Sequence, residues 1–429
     1  MNNRQIILLI FLSILISSFP GFSQINFDDY FFNKSLRLDY YHTGDKENDS
    51  YSFDELIEEP YWGGSKTNLI DTLNFGRYEF IVHDLESGKV IYSKGYSTLF
   101  NEWQTTEEAK HTTRTFSETV TFPFPIKTVK VEFYSRNRLN EPVKKFEYEI
   151  DPENYFIKSE RKEQFDTVNV VSSGDPSVKV DIVIIPDGYT QNEMKKFKSD
   201  CKRFAGYLFN CSPYKENKDK INIRGVLAPS RDSGTDIPAE DVWKNTIVNT
   251  TFYTFDLERY LMTTDNKTLR DIASNVPYDQ IYILVNSDKY CGGSIYNLYS
   301  VCTSDNKYGE FVFTHEFGHG FAFLADEYYT SDVAYQDFYS LDVEPLEPNI
   351  TTLVNFEAKW KDLVIGGTPI PTPSSSEYND KVGAFEGGGY VENGVYRPMQ
   401  DCSMKSIVVD KFCPVCRQAI QTMIDFYSK

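Results

Sequence analysis

The chain has 429 residues, and its 63 acidic side chains outnumber its 44 lysines and arginines to give a formal net charge of −19 at pH 7. A chain of this length is expected to form two domains rather than one. A surface this acidic repels nucleic acid, which excludes nucleic acid as a partner.

The amino terminus has the pattern of a secretory signal peptide. One positive charge, Arg4, precedes an apolar run from Ile6 to Ile16, and small residues follow up to a cleavage position near Ser23-Gln24. The run is short for a membrane span, no stop-transfer pattern follows it, and no cysteine near the cut would carry a bacterial lipid. We expect residues 1–23 to be removed, leaving a charge of −19 − 1 = −20 on an exported protein without stable membrane insertion, secreted, periplasmic or on the cell surface and of bacterial origin.

Residues 24–155 are predicted to form an all-β sandwich. Apolar and polar residues alternate from Val129 to Phe133 and from Phe146 to Ile150, as expected of half-buried strands. Between Glu79 and Tyr92, two short apolar runs flank the sequence Glu86-Ser87-Gly88-Lys89, which predicts a hairpin. This half carries no pattern typical of catalysis, and its aromatic side chains are interpreted as core.

Residues 165–429, which follow a polar boundary at Asp151–Asn154, alternate between predicted strands and helices. The strands are predicted at Val178–Ile185, Ile221–Leu227, Gln280–Val285 and Ser294–Cys302, and the helices at Glu193–Phe209, Thr268–Ala273 and Ile407–Tyr427. Such alternation implies a sheet covered by helices on its faces. The last strand comes directly before the segment described next, so the edge of the sheet should lie beside it.

The segment His315-Glu316-Phe317-Gly318-His319 is the most informative part of the chain. On a helix, residues four apart lie on one face, so both imidazoles can reach one metal ion. Glu316 then lies beside the metal, where it can accept a proton from a bound water and return it to a leaving amine. The sequence therefore predicts one catalytic zinc ion, with His315 and His319 as ligands and Glu316 as the catalytic base.

A catalytic zinc site needs a third protein ligand and an open fourth position. No histidine follows His319, and the nearest candidates are Asp326 and Glu327. On a straight helix Asp326 would lie about 10 Å beyond His319, too far to touch the metal. The helix must therefore end soon after His319 and the chain turn back, or the ligand lies elsewhere. Gly320 and the aromatic residues after it are compatible with such a break.

The motif and its surroundings resemble the M64 peptidases, a family whose founding activity is cleavage of immunoglobulin A. The resemblance rests on the zinc motif with Leu324-Ala325-Asp326-Glu327-Tyr328, and on Ile185-Pro186-Asp187-Gly188-Tyr189-Thr190, Ser233-Gly234-Thr235-Asp236 and Cys402-Ser403-Met404. It implies a metzincin-like fold in which Met404 forms a methionine turn under the metal. Ala322 and Ala325 stand where metzincins have a glycine and the third ligand, and Asp326 is preferred as ligand because it lies one residue beyond that position.

The fold class expected is α+β, an all-β sandwich followed by a metzincin-like α/β zinc-peptidase domain. The function expected is hydrolysis of peptide bonds by a secreted zinc metalloendopeptidase, and the resemblance implies a protein or glycoprotein substrate such as immunoglobulin A. Tyr328 and Tyr329 are candidates for a hydrogen bond to the oxyanion, although packing beside the site is the simpler interpretation. The residues Gly292-Gly293-Ser294 are interpreted either as an open sheet edge for a substrate strand or as a turn.

Three of the seven cysteines cluster near Met404 in sequence: Cys402, Cys413 and Cys416. Export favours a disulfide within this cluster. The alternative is a second zinc site, since Cys413-Pro414-Val415-Cys416 has the C-x-x-C spacing, but three thiols lack an obvious fourth ligand.

Two other functions are compatible with the sequence. One is an exported adhesin or glycoprotein-binding protein on a metallopeptidase fold, although a pure binding protein has no need of Glu316. The other is a zinc hydrolase of non-peptide amides. Because the recognisable chemistry all follows Val168, a chain starting near Asp166 is expected to bind zinc and cleave short peptides.

Overall fold

A computed structural model describes residues 25–159, 164–329, 339–408 and 410–429 of the chain. The predicted signal peptide, residues 1–23, lies outside these ranges. No helix within them combines the length and the apolar character needed to cross a membrane.

The first part of the chain forms two antiparallel sheets that pack against each other. The first sheet consists, in spatial order, of β2 (Asp49–Glu59), β1 (Phe31–Gly44) and β5 (Arg114–Pro125). The second consists of β4 (Val90–Tyr96), β3 (Tyr78–Asp84), β6 (Val129–Arg136) and β7 (Pro142–Ile150). Two short helices, α1 (Phe27–Tyr30) and α2 (Leu99–Gln104), accompany them. Alternate side chains of both sheets are buried in one core that lies between them.

The hairpin predicted between Glu79 and Tyr92 is present. Strands β3 and β4 pair antiparallel, and Gly88 in the connection has φ +68°, a conformation that glycine adopts without steric cost. Val129, Val131 and Phe133 on β6 are fully buried, as their alternation predicted.

The second part is built on a six-stranded sheet with parallel central strands. The strands, in spatial order, are β12 (Gly292–Ile295), β13 (Tyr299–Thr303), β11 (Gln280–Val285), β9 (Val180–Asp187), β10 (Ile221–Val226) and β8 (Thr167–Val171). Only the two edge pairs, β12 with β13 and β10 with β8, are antiparallel. All eight residues of β9 are buried, as expected of a central strand covered on both faces.

Helices cover both faces of this sheet. They are α3 (Met194–Asn210), α4 (Asn266–Ala273), α5 (Gly309–Ala322) and α6 (Pro414–Tyr427), and a hairpin of β14 (Phe385–Gly388) and β15 (Val391–Arg397) precedes α6. Ile182 and Ile184 of β9 share a core with α3, α5 and α6, whereas Val183 and Ile185 share one with α4. The mixed α+β architecture expected from the sequence is therefore present.

Two predicted elements have different bounds. The strand expected at Ser294–Cys302 is a hairpin of two strands, because the chain reverses at Asn297, whose φ is +56°. The helix expected from Ile407 begins at Pro414, where Cys413 caps it by accepting the Cys416 N–H. Ile407 is half exposed and belongs to the preceding loop.

Candidate metal centre

Helix α5 brings the two motif histidines together. Because His315 and His319 are one turn apart, their Nε2 atoms lie 3.2 Å from each other. The opposite side of the helix packs into the core through Phe317 and Phe321, which are buried against Tyr214. Burial of this aromatic side fixes the rotation of the helix and so the direction in which the imidazoles point.

Helix α5 ends at Ala322, three residues after His319. A helix end close to His319 was predicted because Asp326 could not reach the metal from a straight helix. Gly320 is not the break, because it remains helical and packs against Ser294 and Ser300, where a side chain would clash. The break is at Phe323, which has φ +53°, while its ring is buried against Tyr296. Burial of the ring holds a left-handed conformation that a non-glycine residue seldom adopts.

This turn brings Asp326 back to the histidines. Its Oδ1 lies 3.2 Å from the Nε2 of His315 and 3.4 Å from the Nε2 of His319. Asp326 is buried, with 5% of its surface exposed. The structure thus brings together the three residues that the sequence singled out as metal ligands.

Hydrogen bonds on the far side of each ring fix the proton positions. The Nδ1 of His315 donates to the carbonyl of Ser403 at 2.9 Å, and the Nδ1 of His319 donates to the carbonyl of Leu324. Since a carbonyl can only accept, each neutral ring carries its proton on Nδ1 and leaves a lone pair on Nε2. Two such lone pairs cannot form a hydrogen bond with each other.

The carboxylate of Asp326 completes a set of donors that fits a cation. Its Oδ1 is buried and accepts no hydrogen bond from the described residues, which is costly for an isolated acceptor. Two imidazole nitrogens and one carboxylate oxygen are a ligand set found in catalytic zinc sites. The donor set and the unused lone pairs therefore fit a divalent metal ion.

The electrostatics of the group show how strongly these residues interact. Burial lowers the pKa of His319, but the Asp326 carboxylate beside it outweighs burial and raises the pKa to about 9. Burial raises the pKa of Asp326, yet the two imidazoles hold it well below its usual range. A positive charge is therefore favoured at this position, and a divalent ion supplies one.

Glu316 lies beside the ligands, at the edge of the sheet. Its carboxylate occupies the space next to Gly292 of β12, where any side chain would clash with it. Burial raises the pKa of Glu316, while the neighbouring imidazoles oppose that rise. The absence of a side chain at Gly292 therefore makes room for the predicted base.

The outer edge of β12 differs from the open edge that the sequence allowed. Residues 292–294 form a strand rather than a turn, but the Gly292 N–H donates to the Arg259 carbonyl at 3.3 Å. Tyr260 also bridges to Gly292. The backbone of Arg259 and Tyr260 therefore occupies the edge of β12 at Gly292.

Met404 lies against helix α5. A Cβ on Gly318 would be 3.2 Å from the Met404 sulfur, and the Met404 carbonyl accepts the Glu327 N–H at 2.8 Å. The same loop supplies the Ser403 carbonyl that orients His315. The loop that contains Ser403 and Met404 therefore contacts both helix α5 and the segment that carries Asp326.

Tyr390 is a site residue that the sequence reasoning missed. Its hydroxyl donates to Oδ2 of Asp326, which leaves Oδ1 facing the histidines. Its ring lies edge-on to Tyr328 at 5.3 Å, and burial next to Asp326 raises the pKa of both tyrosines. Tyr329 packs on Gly387 and the Arg397 guanidinium, as the packing interpretation predicted. Tyr390 is 64 residues from Asp326, and no motif spacing indicated it.

Glu327, the second choice as zinc ligand, points away from the histidines. It is fully buried, and its Oε1 accepts a hydrogen bond from the Asn349 amide at 3.0 Å and lies 3.2 Å from the Cys416 sulfur.

The prediction of a disulfide among Cys402, Cys413 and Cys416 is wrong for this structure. All seven cysteines are free thiols, and the Cys402 and Cys416 sulfurs are 3.8 Å apart.

The sheet, the helix that carries the motif and the convergent ligand atoms define a candidate metallohydrolase. The sequence model of the family described as IgA Peptidase M64 matches residues 168–378 and 374–424, and that of the Peptidase M64 N-terminus matches residues 26–147. The chain therefore belongs to the M64 peptidase family, as the motifs indicated. Membership implies peptidase activity on a protein substrate. No curated protein matches the chain.

Proposed function

We propose that the protein is a zinc-dependent metalloendopeptidase. The observation that supports this most is the convergence of three unused lone pairs, from His315, His319 and Asp326, beside the Glu316 carboxylate. We also propose that the relation to metzincins, with Met404 under the metal, holds for this domain.

The residues present would divide the reaction between them. A zinc ion held by the three ligands would act as a Lewis acid on the scissile carbonyl and make an attacking water more acidic. Glu316 accepts the proton of that water and returns it to the leaving amine. The rise in its pKa that burial causes suits a group that must gain and lose a proton near neutral pH. Tyr390 and the two carbonyl acceptors hold the ligands in orientation.

The substrate and location follow as further parts of the proposal. The family description names immunoglobulin A, and we propose a host glycoprotein of this kind as the substrate. The predicted signal peptide supports export to the cell surface, periplasm or medium. We propose the division into a β-sandwich unit at residues 24–155 and a peptidase unit at residues 165–429. The space kept for Glu316 argues against a protein that only binds.

Peptide cleavage tests this proposal. The mature protein should cleave a diverse peptide library, lose the activity to a zinc chelator and regain it with zinc. Glu316→Gln keeps the shape but removes the proton acceptor, so turnover should fall by at least about 100-fold while zinc stays bound. Glu310→Gln on the same helix is the matched control, since its Oε1 still accepts the Asn210 amide.

Near wild-type turnover by Glu316→Gln would mean that Glu316 is not the base. Metal binding without cleavage of any peptide would favour the glycoprotein-binding or non-peptide amide alternatives.

A further inference from the structure

A second group of potential ligands lies behind the peptidase site. It consists of Cys402, Cys413, Cys416 and Glu327, all buried, and one ligand atom from each lies within 4.8 Å of the others. None of the four belongs to the group of His315, His319 and Asp326. We call it the cysteine cluster.

Two distances in the cysteine cluster are close to those expected for tetrahedral coordination. Two sulfurs that are each 2.3 Å from one zinc ion at the tetrahedral angle lie about 3.8 Å apart. The Cys402 and Cys416 sulfurs are 3.8 Å apart. The Glu327 Oε1 lies 3.2 Å from the Cys416 sulfur, close to the edge of about 3.5 Å expected between a sulfur and an oxygen ligand.

Backbone N–H groups surround the sulfurs. The N–H groups of Met404 and Cys413 donate to the Cys402 sulfur at 3.5 and 3.3 Å, and the Cys416 N–H donates to the Cys413 sulfur at 3.4 Å. Cys413 caps the N-terminus of α6, where the helix dipole favours negative charge. The Cys402 and Cys413 sulfurs thus accept backbone hydrogen bonds, as metal-bound thiolates do.

The buried carboxylate of Glu327 is the observation that most directly indicates a bound cation in the cysteine cluster. Its side chain is fully buried, and its Oε2 has no hydrogen-bond partner among the described residues. The Asn349 amide donates to Oε1 and so orients the carboxylate toward the sulfurs. Burial of a carboxylate is costly, and a metal ion bound to it would offset that cost.

We propose that Cys402, Cys413, Cys416 and Glu327 hold a second, structural zinc ion. Three soft thiolates favour zinc over magnesium or calcium, and four protein ligands close the site to water. Its formal charge equals that of a site with four cysteines. Glu327 supplies the fourth ligand that the sequence did not reveal.

The second zinc would fix the peptidase site through its neighbours in sequence. Glu327 directly follows Asp326, and Cys402 lies next to Ser403, whose carbonyl orients His315. The ion would therefore join the Asp326 segment, the Met404 loop and helix α6 at one point. It would also protect the thiols from oxidation in an exported protein.

The test uses the full mature chain with His315→Ala and His319→Ala, which removes the peptidase ligands and leaves the cysteine cluster intact. After expression with zinc and purification without chelator, elemental analysis should find about one zinc per chain. Adding Cys416→Ser should remove that zinc, whereas adding Cys201→Ser, a buried cysteine on α3, should not.

Two further measurements leave the cysteine cluster unchanged. They therefore test the proposal even if the Cys416→Ser variant does not fold. The double histidine variant loaded with Co²⁺ should show thiolate-to-cobalt charge-transfer absorption. Thiol titration in denaturant with chelator should count seven free thiols, against 7 − 2 = 5 if two cysteines had formed a disulfide.

A folded double histidine variant without zinc, a cobalt spectrum without the charge-transfer band, or a count of five thiols would overturn the proposal. One zinc in both the wild type and the double histidine variant would instead support the cysteine cluster and count against the peptidase site. The two proposals therefore fail separately.

Discussion

Each proposed zinc ligand is held on its far side by a hydrogen bond. Ser403 and Leu324 supply carbonyls for the two imidazoles, and Tyr390 supplies a hydroxyl for Asp326. These contacts set which atom of each ligand faces inward. The ligand types and the four-residue spacing were legible from the sequence, whereas these outer partners were not. Ser403 and Tyr390 come from segments distant in the chain, and Leu324 reaches His319 only because helix α5 ends before Phe323.

Tyr390→Phe removes the one hydroxyl that donates to Asp326. Without this hydrogen bond the Asp326 carboxylate is free to rotate, so zinc affinity in the peptidase site should fall by about 10- to 100-fold. Competition with a zinc-binding dye measures the change, and Tyr207→Phe, on the half-buried side of α3, is the control. Unchanged affinity in Tyr390→Phe would mean that this hydroxyl does not orient the ligand.

Two elements position the proposed base and the third ligand. The helix α5 ends at Phe323 so that the chain returns to the metal, and β12 leaves room for Glu316 at Gly292. The central strands were predictable because short, largely apolar runs such as Val178–Ile185, in which only Lys179 and Asp181 are polar, are typical of a buried strand. The sequence predicted that helix α5 must end soon after His319, because Asp326 could not otherwise reach the metal. It did not predict the position of the end, because a buried phenylalanine in a left-handed conformation has no local signal in the sequence.

Gly292→Ala tests the fit between strand and base. The new methyl group would displace the Glu316 carboxylate, so turnover should fall at least about 10-fold while zinc content is unchanged. The control is Gly206→Ala on helix α3, where an added Cβ meets no atom within 4 Å. Zinc loss in Gly292→Ala would show instead that the substitution disturbs the ligands.

On the scale of the whole molecule, the sandwich and the peptidase sheet are not separate bodies. Leu99, Phe100 and Trp103 of α2 lie in the same buried core as Ile281 and Val183 of the second sheet. Arg37 of β1, which is fully buried, forms an ion pair with Asp271 of α4 at 2.6 Å. The sequence suggested that a chain starting near Asp166 could act alone, because contacts between distant segments leave no pattern in the sequence; this shared core disfavours it.

Trp103→Ala in the full chain tests whether the two parts unfold together as one cooperative unit. Truncating this fully buried side chain should lower the free energy of unfolding by about 3–5 kcal/mol. Because the core is shared, fluorescence and circular dichroism should report one cooperative transition at lower denaturant. Tyr155→Ala, at a side chain that is 87% exposed, should leave it unchanged. Two transitions with only the first shifted would show that the parts unfold independently.

The most direct test of the zinc peptidase proposal is anomalous X-ray scattering at the zinc edge from crystals of the mature protein prepared without chelator. We predict a peak about 2.0–2.2 Å from the Nε2 atoms of His315 and His319 and from Oδ1 of Asp326. Well-ordered ligands without a peak between them, or a peak bound to other residues instead, would contradict the proposed catalytic site.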